Sequence, residues 1–317
     1  MLASVAVKAW RMSAHGGPEA LQLAEVQAPA PARGEMLVRV SAAALNFSDL
    51  LMLHGAYQVK PELPFIPGQE IAGIVESSGE RVASKVLCGG FAQYALVREN
   101  MAIRLPAEVG FAEGATLPVV WPTAWIALFE RARLQAGESI LILAAAGGTG
   151  LAALQLAKSA GARTIAAVGS ADKFEICRAY GADAILDYSR PGWPEQAKEV
   201  DVIFDPVGGT LTEASLKCLA RGGRLLVVGF SSGSIPSLPA NRLLLKSASA
   251  MGVYWSHEQD APLIARAFAD LWRRRAAGQL DFSALKIYPF TSLPQALADL
   301  AARRTTGKCV LAVGEMR

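Results

Sequence analysis

The stretch Glu138–Gly161, ESILILAAAGGTGLAALQLAKSAG, limits what this chain can fold into more than any other. Ile140, Leu141, Ile142 and Leu143 form the short apolar run expected of a strand buried on both faces of a parallel sheet. The run passes through Ala144–Ala146 into Gly147, Gly148, Thr149 and Gly150. Leu151, Leu154 and Ala157 then share one helical face, while Gln155, Lys158 and Ser159 lie on another. Gly161 suits the left-handed conformation that ends helices. Within this strand–turn–helix order, Gly148, Gly150 and Ala153 match G-x-G-x-x-G/A. The three small residues allow a tight turn, close approach of backbone to a pyrophosphate, and close packing of helix on strand. The N–H groups and dipole at the helix start then face phosphates. A second strand is expected at Arg163–Val168. The alternative is a plain strand-to-helix connection, but the order of elements points to nucleotide binding.

With 317 residues the chain has room for about two domains. No apolar run reaches the ~18 residues of a membrane span, and Met1–Trp10 lacks a signal-peptide pattern. The expectation is a cytoplasmic protein with no membrane partner. A net charge of +3 gives no reason to expect a nucleic-acid partner. Cys88, Cys177, Cys218 and Cys309 are scattered and contain no C-x-x-C pair, as for reduced structural thiols. The three histidines, His15, His54 and His257, do not pair with them at metal-ligand spacing, so no metal site is expected.

Up to about Glu113 the chain reads as short strands and turns. Met36–Ala42, Glu70–Val75 and Phe91–Val97 are the candidate strands, Asn46–Gly55 is a short helix, and Tyr57 begins another extended segment. Pro29, Pro31, Pro61, Pro64 and Pro67 punctuate the loops. From about Gly114 helix and strand alternate. The expected strands are Ile140–Leu143, Arg163–Gly169, Ala184–Tyr188, Asp201–Asp205, Arg224–Gly229 and Ala248–Trp255. Helices are expected at Asp172–Tyr180 and Thr210–Ala220, and at Ala261–Gly278 and Leu293–Thr305 in the tail. Val310–Val313 is strand-like and returns to the first domain. Six strands with intervening helices predict a doubly wound parallel sheet.

Several motifs along nearly the whole chain carry a resemblance to a known family. They are Leu45-Asn46-Phe47-Ser48-Asp49-Leu50, Gly55-Ala56-Tyr57, Pro64–Val75 (PFIPGQEIAGIV), Ala144–Gly150, Leu225–Phe230 and Thr306-Gly307-Lys308. The chain resembles the zinc-independent medium-chain dehydrogenase/reductases, the quinone oxidoreductase group that includes zeta-crystallin. The resemblance implies an α/β protein: a GroES-like, mainly β catalytic domain and a Rossmann domain with a doubly wound parallel sheet. The catalytic domain would span 1–115 and be completed by 256–317, the Rossmann domain would span 116–255, and the active site would lie in the cleft between them. Zinc-dependent relatives carry Gly-His-Glu where this chain has Gly68-Gln69-Glu70, and a neutral amide is a poor zinc ligand. Glu70 is expected to hold loops by hydrogen bonds. The segment from Val75 to Gly89 is shorter than is usual in the group. Leu51 stands where some members have a tyrosine, which bears on substrate range.

An NAD-type domain places Asp or Glu ~20 residues beyond the glycines, at the end of the second strand, for the ribose 2′-OH. Here that strand ends in Val168-Gly169-Ser170, and Asp172 is expected to point to solvent from the next helix. Similar proteins hold a 2′-phosphate with a Ser/Lys pair and a tyrosine, which here are Ser170, Lys173 and Tyr188. The alternative makes Lys173 a surface charge and Tyr188 a strand-end aromatic. By the same resemblance the NADPH site comprises Thr123, Gly147, Gly148, Thr149, Gly150, Gly169, Ser170, Lys173, Tyr188, Gly229, Phe230, Ser231, Met251, Gly252 and Val253. Val228 runs beside the cofactor, and Thr123 serves equally well as the cap of a helix beginning there. Asn46 and Tyr57 are the expected catalytic, substrate-side groups, although Tyr57 can equally be packing.

The resulting expectation is an NADPH-dependent oxidoreductase that transfers hydride to quinones without a metal, as a homodimer joined along the exposed edge of its last Rossmann strand. Reduction of an activated C=C bond, as in a 2-alkenal or enoyl reductase, is the alternative within enzymes. A cofactor-binding sensor or structural protein with little turnover is the alternative of another class.

Overall fold

The computed structural model describes residues 5–58 and 60–316. Met1–Ser4, part of the stretch scanned for a signal, and Val59, in the segment expected to extend from Tyr57, lie outside them. The chain forms two compact units, Met1–Val119 with Leu285–Arg317, and Val120–Ala284.

Apolar runs that are buried on both faces build the second unit's sheet. Ser139–Leu143 is buried at every position but its first, and Arg163–Val168 likewise. Six strands lie in the order Ala184–Asp187, Arg163–Val168, Ser139–Leu143, Val200–Asp205, Leu219–Val227, Ser249–Gly252, and all pairs are parallel. In sequence rank this is 3-2-1-4-5-6, the dinucleotide-binding order, which reverses beside Ser139–Leu143. Leu141, Leu143, Ile165, Ile203 and Leu225 form its core, and each such buried side chain stabilises the fold by about 1.5–3 kcal/mol.

The first unit holds a seven-stranded sheet in the order Leu285–Pro289, Lys308–Ala312, Glu35–Ala44, Glu70–Val75, Arg81–Lys85, Ile103–Arg104, with Tyr94–Arg98 also paired to Glu35–Ala44. Lys308–Ala312 pairs antiparallel with Glu35–Ala44, so the C-terminal strand does return to the first unit. The short Val75–Gly89 segment is a tight hairpin: Gly79 N–H donates to the Val75 carbonyl at 2.8 Å, and Glu70–Val75 pairs antiparallel with Arg81–Lys85.

Several boundaries differ from expectation for local reasons. The helix predicted over Thr210–Ala220 is α-helical only over Gly209–Ser215, and the next strand begins at Leu219. A register shift between Val200 and Val202 lets Leu219 pair before Arg224 does. Leu285–Pro289 forms a strand where none was expected; it is an edge strand that ends in proline, which gives little signal. The helix His257–Ala276 and the residues after it, through 284, pack on the second unit, not with the 256–317 span assigned to the first. Trp125 Nε1 donates to Asp270 at 2.9 Å. The Gln155 side chain bonds both N–H and C=O of Asp281, at 2.7 and 3.0 Å, and Phe282 stacks edge-on against Trp121. Among the described residues no helix is long and apolar enough to cross a membrane.

Candidate functional site

In the second unit the nucleotide turn is built as its sequence requires. Ala144 adopts φ 50°, Gly147 N–H closes onto the Ala144 carbonyl at 3.0 Å, and the helix Gly148–Ser159 starts at once. A Cβ on Gly150 would sit 2.5 Å from the Ala144 oxygen and 2.7 Å from the Ala145 Cα, so only glycine permits this packing. No side chain caps the helix, and its first N–H groups are therefore available to an anion. A helix start bared of side chains and set on a glycine cradle fits a dinucleotide pyrophosphate.

The second strand ends at Val168 with no acid following it. Ser170 is extended, Asp172 is exposed, and Lys173 closes a 3-10 turn whose N–H bonds the Ser170 carbonyl at 3.3 Å. Tyr188 N–H bonds the Val168 carbonyl at 2.9 Å, and its ring covers Gly169, where a Cβ would meet it at 3.1 Å. The fold thus brings Gly169, Ser170 and Tyr188 together at one strand end, with Lys173 one turn away. Neighbouring Asp187 is engaged locally. Bonds from Ser189 hold its carboxyl below the usual range, and Arg190 lies 3.4 Å away.

Gly229, Phe230 and Ser231 lie on a loop pinned by backbone bonds: Val228 N–H to Asp205 O, Ser231 N–H to Pro206 O and Ser232 N–H to Val207 O. The buried Asp205 carboxylate, which sequence reading missed, holds the facing turn. It accepts from Val207 and Gly208 N–H at 2.8 and 3.0 Å and from the Thr212 hydroxyl. Its signal was an acid closing an apolar strand run just before Pro206-Val207-Gly208-Gly209. Met251 and Gly252 end the last strand, and Val253 N–H bonds the Val227 carbonyl at 3.0 Å. Space is open over Gly252, where a Cβ would meet nothing within 4 Å. Thr123 is not a helix cap, because the helix Leu117–Trp125 already contains it. Its hydroxyl instead accepts from Trp255 Nε1 at 2.9 Å, which ties it to the segment just beyond Val253.

In the first unit Asn46 precedes the helix Phe47–Leu53 and enters a buried polar cluster. Asn46 Nδ2 donates to Glu70 Oε2 at 2.7 Å, and its Oδ1 accepts from Lys308 Nζ at 2.5 Å. Lys308 Nζ lies 2.6 Å from Glu70 Oε2, and Glu70 Oε1 accepts the Val119 N–H at 2.7 Å. Glu70 is therefore satisfied by a cation, an amide and a backbone N–H. The Asn46 amide nitrogen carries a second proton that Glu70 does not take. Asp49, also missed as a site residue, accepts the Asn46 N–H through Oδ2 at 2.7 Å. Burial raises its pKa to about 7, and Glu70 adds to the rise. The Asn46 bond, Lys308 and the Gln69 amide act the other way. Tyr57 is half-buried and packs against the core of this unit. Among the described residues no group of three or more His, Cys, Asp and Glu is placed to hold a metal ion.

A GroES-like unit and a 3-2-1-4-5-6 sheet with a glycine-cradled helix define a medium-chain dehydrogenase/reductase, an oxidoreductase enzyme. Family models described as "Alcohol dehydrogenase GroES-like domain" and "Zinc-binding dehydrogenase" match residues 32–107 and 148–270. The quinone oxidoreductase-like protein 2 of Bos taurus is 35% identical over 297 residues, which cover 88% of this chain and 85% of the relative. The quinone oxidoreductase of Thermus thermophilus, solved alone and in complex with NADPH, superposes with a TM-score of 0.86 at 34% identity, covering 96% of this chain and 99% of that one. The CurK enoyl reductase superposes at 0.85 with 26% identity, covering 96% and 99%. The chain belongs to the quinone oxidoreductase family.

Proposed function

We propose that this protein oxidises NADPH by direct hydride transfer to a quinone, in a site that uses no metal. The observation that carries this reading is the second strand's end: no acid directly follows Val168, Ser170 and Tyr188 lie beside Gly169, and Lys173 follows one turn on, a set of groups suited to a 2′-phosphate. The uncapped helix start at Gly148, with Gly147, Thr149 and Gly150, takes the pyrophosphate. Gly229, Phe230 and Ser231 line the cofactor, and Thr123, Met251, Gly252 and Val253 border its nicotinamide. The bound cofactor supplies the hydride; the chain supplies position and hydrogen bonds.

On the acceptor side, the remaining Asn46 amide proton and the Tyr57 hydroxyl donate to the oxygen that gains charge. Lys308 and Glu70 fix the Asn46 amide from both ends, so the donor is preorganised. Gln69 replaces a histidine ligand with a neutral amide, which supports chemistry without zinc. Four free thiols support a reducing, cytoplasmic setting. The exposed last strand supports a homodimer.

The test is NADPH consumption with quinones and enones side by side, using NADPH deuterated at C4 one face at a time. Quinone turnover with a primary isotope effect from one face supports the reading. Equal reaction from both faces, or no turnover of either class, defeats it. Likeness to an enoyl reductase favours a second reading, reduction of an activated C=C bond, which turnover of enones but not quinones would select. Stoichiometric zinc whose removal abolishes turnover would end the metal-free proposal.

A further inference from the structure

Two orphaned polar atoms occur in one buried place. Asp49 is 0% exposed, and its Oδ1 has no hydrogen-bond partner. Gln69 is 5% exposed, and its Nε2 has none either. The amide is nevertheless close enough to favour the Asp49 carboxylate over the acid. Buried polar groups are normally paired, so two unpaired groups side by side mark an arrangement with more than one state.

The charges facing Asp49 are Glu70, which opposes its ionisation, and Lys308, which favours it. Lys308 is committed to Glu70 at 2.6 Å and to Asn46 at 2.5 Å, so one cation serves two carboxyl groups. Asn46 and Gln69, the other groups at this carboxyl, are neutral. Burial and the Glu70 charge leave the acid and the carboxylate near balance around neutral pH. A primary amide can serve both forms: its nitrogen donates to a carboxylate, and, turned over, its oxygen accepts from a protonated acid.

We propose that Asp49 and Gln69 form a proton-coupled pair that positions Asn46. The neutral acid donates from Oδ1 to the Gln69 amide oxygen; when the proton leaves to solvent, the amide turns and donates Nε2–H to the carboxylate. Asp49 Oδ2 holds the Asn46 N–H in both forms, more tightly as a charged acceptor. The Asn46 side chain bridges Glu70 and Lys308, so the pair sets how firmly its free amide proton is aimed. Asp49 acts through Asn46 and does not touch substrate. The inference rests on the proposed reading that Asn46 meets the acceptor.

Infrared difference spectra from about pH 5 to about pH 9 test the pair without any turnover. A protonated-carboxyl band lost with a midpoint near 7 is expected in the wild type and absent in Asp49→Asn. Gln69→Leu should move the midpoint upward, because the carboxylate loses its donor, and this variant decides the matter if Asp49→Asn does not fold. With NADPH and a quinone, kcat/KM should change by about fivefold across the same range in the wild type and stay flat in Asp49→Asn, the size of one hydrogen bond gaining charge. No band titrating in this range overturns the pair. A band that titrates while Asp49→Asn keeps the wild-type pH profile overturns the positioning role. If the wild type reduces neither quinones nor enones, the functional reading fails, and the infrared titration alone decides the pair.

Discussion

Lys308 Nζ lies 2.6 Å from Glu70 Oε2, with both side chains buried. The contact joins the C-terminal strand to Glu70–Val75, two strands that flank Glu35–Ala44 and do not pair with each other. Removing one partner from such a pair leaves an uncompensated buried charge, which costs about 3–5 kcal/mol. Lys308→Met should therefore lower stability by about that amount in urea unfolding. Lys308→Met with Glu70→Gln should recover a large part of the loss, because no lone charge is left. A single-variant loss below about 1 kcal/mol would mean that water reaches the carboxylate.

Asp49 contributes to stability in the opposite sense to an ordinary paired carboxylate. Its unfolded pKa is about 3.9, and its folded pKa is raised to about 7, chiefly by burial. The folded state thus binds the proton more tightly. Stability from this group is fully present below about pH 4, falls as pH rises, and is lost above about pH 7. Three units correspond to at most roughly 4 kcal/mol, reduced by any relaxation of Gln69. Asp183, Asp187 and Asp270 have depressed pKa values and slope the other way, so the variant must be read against wild type. Asp49→Asn should gain stability relative to wild type between about pH 5 and pH 8, as measured by urea midpoints. A constant difference across that range would remove the assignment.

Burial should also silence two thiols. Cys177 and Cys218 have pKa values pushed up to about 12 by burial, so thiolate is scarce at neutral pH. Neither should react with a thiol reagent in the native protein at about pH 8. Both should react after unfolding. Rapid native labelling of either, located by peptide mass, would contradict the packing of the second unit.

Nucleotide-turn residues were readable because each need is local. Gly150 must lack a Cβ for reasons found within six residues of it, and the apolar run Ile140–Leu143 announces its own burial. The second strand's end is equally local: the strand stops at Val168 with no acid directly after it. Asn46, by contrast, is defined by Glu70 and by Lys308, 262 positions away, so its amide's engagement at both ends had no local signal. Asp49 looked like an ordinary first-turn acid until the fold buried it. The domain boundary was misplaced for a related reason. The buried residues of the helix His257–Ala276 give no local sign of the unit they join, and the long-range Trp125–Asp270 contact ties the helix to the second.

The last strand of the second unit's sheet leaves one edge exposed, and four large apolar side chains of that unit are exposed as well. Leu244, Leu245, Ile235 and Tyr254 are all largely exposed, Tyr254 the least so at 73%. An exposed edge and exposed apolar side chains both invite pairing. A second copy joining at Ser249–Gly252 would bury that edge. Sedimentation at micromolar concentration should show a dimer, and Leu245→Arg with Tyr254→Arg should yield a monomer. A wild-type monomer throughout would discard the assembly.

Cofactor choice is the sharpest prediction that the second strand's end allows. Lys173 and Tyr188 stand beside a backbone that offers no acid for a ribose 2′-OH. A charge-assisted hydrogen bond to a 2′-phosphate contributes about 1.5–3 kcal/mol, equivalent to roughly 10–150-fold in affinity. Lys173→Ala should weaken NADPH by a factor in that range and leave NADH almost unchanged, in fluorescence titrations at fixed salt. Tyr188→Phe isolates the hydroxyl and should cost less, because a neutral donor is the weaker one. Gly169→Ala supplies a geometric control. Its Cβ would sit 3.1 Å from the Tyr188 ring, so the ring must shift by a few tenths of an ångström to admit it. That shift should weaken NADPH more than NADH while keeping both side chains intact. Raising ionic strength should narrow the NADPH preference in the wild type and do little in Lys173→Ala, since the lost interaction is the screened one. Equal losses of NADPH and NADH in Lys173→Ala would place this lysine on the surface as an ordinary helix charge, and the phosphate site would have to be sought elsewhere on the same strand ends.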